Sequence, residues 1–260
     1  MNMQIKSVAM IAAAASVVAG LSVVAWGAGI PAANAAYVQP QESGPLDAQP
    51  TQAARQLLIS AHNAGDAAST IAKSVHHDAR IIEIDTSLEG SQWRARHDPA
   101  PTSTKDIVKR SETVGQAWAR AKTPGILLDL KTSGPRTTQL VAKLVAGHPA
   151  TDVLVSTSSE QTLAEVGADD PKTLRLLSVG TAAQLSAVLA STPSSAYEGV
   201  SIANDLLTEE TTAELKQHHL WIQSWTVDTM LRANQLAAWG VNGITTDNLS
   251  MLAALKNSPV

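Results

Sequence analysis

The sequence predicts an α/β chain folded as a compact single-domain (β/α)8 barrel, on three observations. Eight short β-rich runs recur between residues 57 and 247, most are near-continuously apolar, and segments with helix-start signals separate them. Runs such as Ile126-Leu-Leu and Val153-Leu-Val suit parallel strands covered on both faces, since a strand with one wet face alternates. Eight strand–helix pairs in about 200 residues fit a small TIM barrel. A doubly wound open sheet is the alternative, and it usually carries fewer strands.

In chain order, residues 1–35 stand apart from the fold. Lys6 is their only charge, an apolar run covers residues 8–26, and they close on Ala33-Asn34-Ala35, the order of a secretory signal peptide. A retained membrane anchor is the alternative, because the apolar run is long although Ala-rich. No Cys lies near the cleavage site, which excludes a lipoprotein. Residues 36–52 are rich in Pro, Gln and Gly without periodicity and predict a flexible linker. The barrel is expected over residues 53–260, and the protein is expected to be secreted or held in the cell envelope.

Within the barrel the expected strands are 57–62, 80–88, 125–131, 152–157, 173–179, 199–203, 220–227 and 243–247, with a short extension at 93–97 after the second. Thr113, Ser158 and Thr181 are each followed three residues later by Gln, the spacing of a capping box. Gly240 follows the helical segment 229–239 and suits a C′ residue.

Composition removes several functions. The 260 residues contain no Cys, so a disulfide framework, a zinc–thiolate site and a cysteine nucleophile are excluded. With 44% apolar and 16% charged residues the chain can bury a core. Its net charge of −4 gives no default attraction to nucleic acid, and no nucleic-acid partner is expected.

Barrel active sites lie at the C-terminal ends of the strands, so the polar residues there carry the functional question. Strand one ends in His62-Asn63, strand two carries Glu83-Ile84-Asp85, the extension ends in His97-Asp98, and strand three ends in Asp129-Leu130-Lys131. Glu83 and Asp85 are two apart and share one face, the barrel interior if Ile82 and Ile84 face the helices. Like charges on one face repel unless a cation sits between them, and Asp129 on the adjacent strand supplies a third oxygen ligand. Such an all-oxygen set suits one divalent cation, Mg²⁺ or Ca²⁺. His62 and His97 then flank it as candidates for base or nucleophile and for general acid, and Lys131 can neutralise a phosphate oxygen. Trp225, on strand seven, either lines a ligand pocket or packs. Taken singly, a strand-end carboxylate is more often a cap and a lone His a satisfied polar group. Carboxylates inside Ile81-Ile-Glu-Ile-Asp are, however, costly to bury without a partner.

Six segments carry a resemblance: Leu58-Ile-Ser-Ala-His62-Asn-Ala-Gly65, Ala79-Arg-Ile-Ile-Glu83-Ile-Asp85, Arg96-His97-Asp98-Pro99, Leu127-Leu-Asp129-Leu-Lys131, Trp225-Thr-Val-Asp228 and Trp239-Gly-Val-Asn-Gly-Ile-Thr-Thr-Asp247. In this order the chain resembles the glycerophosphodiester phosphodiesterases and the wider phosphatidylinositol-specific phospholipase C-like barrels. The resemblance implies a divalent cation held by Glu83, Asp85 and Asp129, His62 and His97 as the acid/base pair, and Lys131 on the phosphate. Where that family usually has His-Arg-Gly, this chain has His62-Asn63-Ala64, so Asn63 stands in place of the phosphate-gripping Arg. The family's Pro-Glu-Asn-Thr stretch is absent, and Asp129 replaces a more usual Glu. The missing Arg together with Leu128-Asp-Leu-Lys-Thr132 is similar to the sphingomyelinase D/phospholipase D-like branch, whose catalytic-loop cysteines have no counterpart here.

The expected function is a secreted, metal-dependent phosphodiesterase acting on glycerophosphodiesters or lysophospholipid headgroups, a monomer with peripheral contact to membrane lipid. His62, His97, Lys131, Asn63 and Trp225 are the candidates around the substrate. One alternative is intramolecular transfer giving a cyclic phosphate; another is an inactive envelope-binding barrel. A sugar-active barrel with paired carboxylates leaves Lys131 and both histidines unexplained.

Overall fold

Parallel apolar strands can bury both faces when helices cover the outside and the sheet closes over an inner layer. The structure, a computed structural model, describes residues 46–97, 112–123, 125–148, 152–192 and 194–256, all within one compact unit. The expected leader, residues 36–45 of the expected linker, and Asp98 and Pro99 lie outside the described residues.

One sheet contains β1 (Leu58–Ala61), β2 (Ile81–Glu89), β3 (Gln92–Ala95), β4 (Gly125–Leu130), β5 (Asp152–Thr157), β6 (Leu174–Val179), β7 (Gly199–Ala203), β8 (Trp221–Trp225) and β9 (Gly243–Thr246). Among the described residues the helices are α1 (Ala68–His76), α2 (Val114–Ala121), α3 (Pro135–Ala146), α4 (Glu160–Asp169), α5 (Ala182–Ala190), α6 (Glu209–Gln217), α7 (Met230–Trp239) and α8 (Leu249–Lys256). All strands except β3 run parallel, and the ring closes because β1 pairs with β9 on one side and β2 on the other. All eight expected strands are present, and the closure rules out the open sheet. The expected extension is β3, which returns antiparallel along β2 with Thr86 opposite Ala95.

The two-residue period of the strands separates two apolar layers. Ile82, Ile84, Ile126, Leu128, Val153 and Val155 belong to the core that includes the helix residues. Ile81, Leu127, Leu154 and Leu176 form a second cluster, with Leu58 and Trp221 against it. Each such buried Ile or Leu contributes roughly 1.5–3 kcal/mol. Two residues further along the same faces, Ile81 gives way to Glu83 and Asp85, Leu127 to Asp129 and Lys131, and Leu154 to Ser156. The barrel interior is therefore apolar at its floor and polar toward its mouth.

Helix starts follow the expected signals with one shift. Thr113 forms the full capping box with Gln116. At α5 Thr181 accepts the Gln184 N–H, while the Gln184 side chain accepts from Gly180 N–H at 2.9 Å. At α4 the cap is Ser159, not Ser158: Ser159 is the last extended residue, and its side chain accepts the Thr162 N–H. Gly240 ends α7 in the left-handed conformation with φ 89°.

Residues 46–52, the described end of the expected linker, lie against the barrel. Leu46 and Ala48 pack on the core, Asn234 Oδ1 accepts the Thr51 N–H at 2.8 Å, and Asn234 Nδ2 donates to the Gln49 carbonyl at 2.9 Å. Local composition reads a tether here, whereas the partners of these residues lie more than 180 positions away in the chain.

Candidate active site at the barrel mouth

β1 pairs with β2 only at Ser60–Ile81 and Ala61–Ile82, so polar groups higher on β2 need other partners. The turn after β1 supplies them. Asn63 adopts φ 47°, a left-handed conformation that Asn tolerates better than most residues, and the chain folds into the short Ala64–Asp66 turn. The Asn63 N–H donates to Glu83 Oε2 at 2.9 Å, and Asp66 Oδ1 accepts the Asp85 N–H at 3.2 Å. Gly65 permits this approach, since a Cβ there would stand 2.8 Å from the Glu83 carbonyl oxygen.

Glu83, Asp85 and Asp129 present carboxylate oxygens within 4.8 Å of one another. Asp85 and Asp129 are register partners on neighbouring strands, and Ser156 Oγ donates to Asp129 Oδ1 at 2.8 Å. Lys131 lies between two of the three: its ammonium is 2.7 Å from Asp85 Oδ1 and also pairs with Asp129. Asp85 is fully buried, yet its Oδ2 has no hydrogen-bond partner among the described residues. Leaving a buried carboxylate oxygen without one is expensive. Three hard oxygen donors this close together, from Glu83, Asp85 and Asp129, fit a divalent cation.

His62 adjoins this cluster. Its Nε2 lies 3.9 Å from Glu83 Oε2, and its Nδ1 lies 3.0 Å from Asp247 Oδ1. A carboxylate acceptor at Nδ1 assigns the proton there and leaves Nε2 on the side of Glu83. Asp228 in turn fixes Asp247, its Oδ1 accepting the Asp247 N–H at 2.8 Å and the Thr246 hydroxyl at 3.1 Å. Trp225 is half-buried at the end of β8, its ring edge against Gly180. His97 is half-buried two residues after β3; the N–H of its neighbour Arg96 donates to the Asp85 carbonyl at 2.8 Å, so strand pairing carries His97 back along β2. Asn63 touches the site through its backbone, and its side-chain oxygen is buried without a hydrogen-bond partner among the described residues.

Four residues of this arrangement are absent from the expected site residues: Asp66, Ser156, Asp228 and Asp247. Asp228 and Asp247 close two of the segments quoted for the resemblance, but no local pattern links them to His62. Asp66 and Ser156 read as turn and strand-end residues until the turn and register are known.

The electrostatics follow from burial and crowding. Burial by itself lowers the basicity of His62, but Glu83, the hydrogen bond to Asp247 and the charges of Asp247 and Asp85 outweigh it and raise its pKa to about 9. Burial raises Glu83 to about 7, Asp85 and Asp129 adding to the rise and the His62 charge opposing it. Asp66 is pushed well above the usual carboxylate range, by burial first and then by the Asp85 and Glu83 charges. Burial opposes the charge of Lys131, but Asp129 and Asp85 hold it protonated.

These shifts give a pH prediction for the chelator-treated protein. His62 holds its proton more tightly folded than unfolded, so its contribution is complete below about pH 6.5 and disappears as pH rises through about 9. Glu83 has the same sign: the fold favours its protonated form, an advantage complete below about pH 4.5 and lost as pH rises through about 7. Tm without divalent cation should therefore fall between pH 5 and pH 9, and saturating Mg²⁺ or Ca²⁺ should restore most of the loss at the alkaline end. A metal-free Tm that is flat or rising over that range contradicts the arrangement.

A cleft of about 560 Å³ opens at the other end of the barrel, lined by Leu58, Ile81, Leu154 and Leu174 with Arg80 and Asp170. It lies at the N-terminal ends of the strands, the end that serves stability rather than chemistry in barrels of this class. The convergent titratable groups are at the mouth.

No protein-family profile matches the sequence, and no curated relative matches it. Among solved structures the chain is similar to an Oleispira antarctica phosphodiesterase in complex with the product sn-glycerol-3-phosphate, at 16% identity and TM-score 0.63, covering 76% of this chain and 96% of that one. It is similar to a glycerophosphodiester phosphodiesterase from Parabacteroides distasonis at 17% identity and TM-score 0.61, over 77% and 97% of the two chains. A glycerophosphodiester phosphodiesterase from Thermotoga maritima is 11% identical with TM-score 0.59, over 76% and 98%. The chain thus has the barrel fold of the glycerophosphodiester phosphodiesterases, spanning nearly the whole of each of these chains.

Proposed function

We propose that the protein is an exported, divalent-metal-dependent phosphodiesterase acting on glycerophosphodiesters or lysophospholipid headgroups. The observation that carries this reading is the convergence of His62, backed by Asp247 at 3.0 Å, with three carboxylates whose oxygens lie within 4.8 Å of one another, at the end of the barrel where chemistry is done. The sn-glycerol-3-phosphate bound to the Oleispira antarctica phosphodiesterase supports a small phosphate-bearing substrate. The segment 1–35 supports export.

Glu83, Asp85 and Asp129 would hold the cation, which would supply positive charge for the phosphate oxygens and offset carboxylates that otherwise repel an anion. Lys131 adds a second positive charge beside them. Asp247 orients the His62 ring and fixes its tautomer, so that Nε2 exchanges a proton with the reacting oxygen. His97 serves the opposite side, one histidine taking a proton from the attacking oxygen and the other giving one to the leaving alcohol. With Asn63 in place of an Arg, Lys131 contributes side-chain positive charge beside the phosphate. Attack by water gives a phosphomonoester and attack by a neighbouring substrate hydroxyl gives a cyclic phosphate. The close approach of the three carboxylates speaks against an idle barrel, because one Lys131 leaves the group with more negative than positive charge in a largely buried place.

Turnover of glycerophosphocholine and of lysophosphatidylcholine with Mg²⁺, with Ca²⁺ and with chelator tests the proposal, and phosphorus NMR separates open from cyclic products. Cation-dependent release of choline or of the glycerol moiety is expected. Absent turnover on both substrates, or turnover that chelator leaves untouched, overturns it.

A further inference from the structure

We propose that residues 47–51 form a strap that supports the catalytic histidine, with Asp47 as a positioning residue. The first free N–H groups of α7 are satisfied from two sources. Thr229 accepts the Arg232 N–H at 3.3 Å, while Asp47 Oδ1 accepts the Met230 N–H at 2.7 Å and Asp47 Oδ2 takes the Leu231 N–H at 3.4 Å. Thr229 is already the local cap of this helix. A second acceptor from 183 residues away is not required for the helix to start, and it costs the ordering of the segment that brings it. Asn234, one turn further along, grips the same segment through Thr51 and Gln49, and Ala54 just beyond is fully buried.

The strap fastens the turn between β8 and α7, and that turn carries Asp228. From there the ties run to the end of β9. The Val227 N–H donates to the Thr245 carbonyl at 2.9 Å, Asn248 Nδ2 donates to the Asp228 carbonyl at 3.0 Å, and Asp228 Oδ1 holds the Asp247 N–H and the Thr246 hydroxyl. Asp247 then meets His62 Nδ1. Asp47, the β8–α7 turn, Asp228, Asp247 and His62 are thus one connected run of hydrogen bonds and two short backbone steps. A carboxylate at a helix N-terminus is also favoured by the helix dipole, so the neutral amide introduced by Asp47→Asn weakens the anchor while keeping its shape.

The catalytic part of this proposal rests on the phosphodiesterase reading; the coupling part does not. The full chain with Asp47→Asn, Asp47→Ala and Asp47→Glu is tested in Mg²⁺ by amide hydrogen exchange and by kinetics on glycerophosphocholine. Asp47→Ala is expected to speed exchange about fivefold, as loss of one helix cap does, at residues 227–231 and also at 246–248, with β4, β5 and β6 unchanged. It is expected to lower kcat about three- to tenfold at nearly constant KM, as small displacements of a catalytic group do. Asp47→Asn should fall between it and the parent, and Asp47→Glu should restore part of both effects. Exchange that rises only at 230–232, or evenly over the barrel, overturns the strap, as does an unchanged kcat. Should the parent turn over no phosphodiester, the exchange pattern at 246–248 alone decides the coupling, so the two readings fail separately. Asn234→Ala releases Thr51 and Gln49 while leaving Asp47 intact, and provides the same exchange test if Asp47→Ala does not fold.

Discussion

Replacing His62 with asparagine is expected to lower kcat on glycerophosphocholine by about 10²–10⁴-fold, the range that a positioned acid–base group contributes. The histidine occupies the first position after β1, where its N–H is bonded to the Thr246 carbonyl at 2.9 Å, so the backbone holds its place whatever side chain it bears. Asparagine can still reach Asp247 from there, but it has no group that exchanges a proton near neutral pH. The loss should therefore lie in kcat, with KM and cation affinity little altered, because Glu83 keeps its bond from the Asn63 N–H. Asp247→Asn is the informative companion: the imidazole remains but loses its orienting carboxylate, and a smaller loss with a displaced pH profile is expected. A His62→Asn enzyme retaining more than a tenth of the parent kcat at cation saturation would remove His62 from the chemistry.

Asp85→Asn is expected to raise the Mg²⁺ or Ca²⁺ concentration needed for half-maximal activity by more than the roughly 10–100-fold that outer-shell partners cost. Asp85 is the carboxylate with the least choice. It is fully buried, it sits between Glu83 on its own strand and its register partner Asp129, and its Oδ2 has no hydrogen-bond partner among the described residues. An amide there removes one charge and can turn an N–H toward the cation. Lys131 keeps Asp129 as a partner, so the fold should survive, and titration calorimetry of the folded variant separates lost binding from lost structure. Unchanged cation affinity would show that Asp85 serves Lys131 rather than a metal.

Much of the fold is legible in the sequence because strand signals are local. Each of β1, β2 and β4–β9 coincides with one of the β-rich runs, most of them largely apolar, and the face shared by Glu83 and Asp85 follows from the strand's period of two. The antiparallel return of β3 is visible as an extension because it begins three residues after β2 ends. Local signals place the start of α4 one residue early, because Ser158 and Ser159 are adjacent cap residues and only the backbone conformation selects between them. Residues 46–52 look like linker for a similar reason: their polar, turn-prone composition is local, and the segment meets Asn234 and the start of α7 only once the barrel has closed.

The candidate site divides in the same way. From the order of residues alone it follows which carboxylates share the inner face of the barrel, that Asp129 and Lys131 repeat that alternation on a neighbouring strand, and that His62 stands at a strand end. Closure of the barrel is needed to settle that Asp247 orients His62 and that Asp66 takes the donor β1 leaves free on β2, whereas pairing of neighbouring strands settles that Asp228 places Asp247 and that Lys131 bridges Asp85 and Asp129. The division reflects the reach of each interaction. Side-chain alternation is set within a few residues of chain, whereas the partner of a buried charge is set by strand register and by the pairing of β9 with β1, which join residues 185 positions apart.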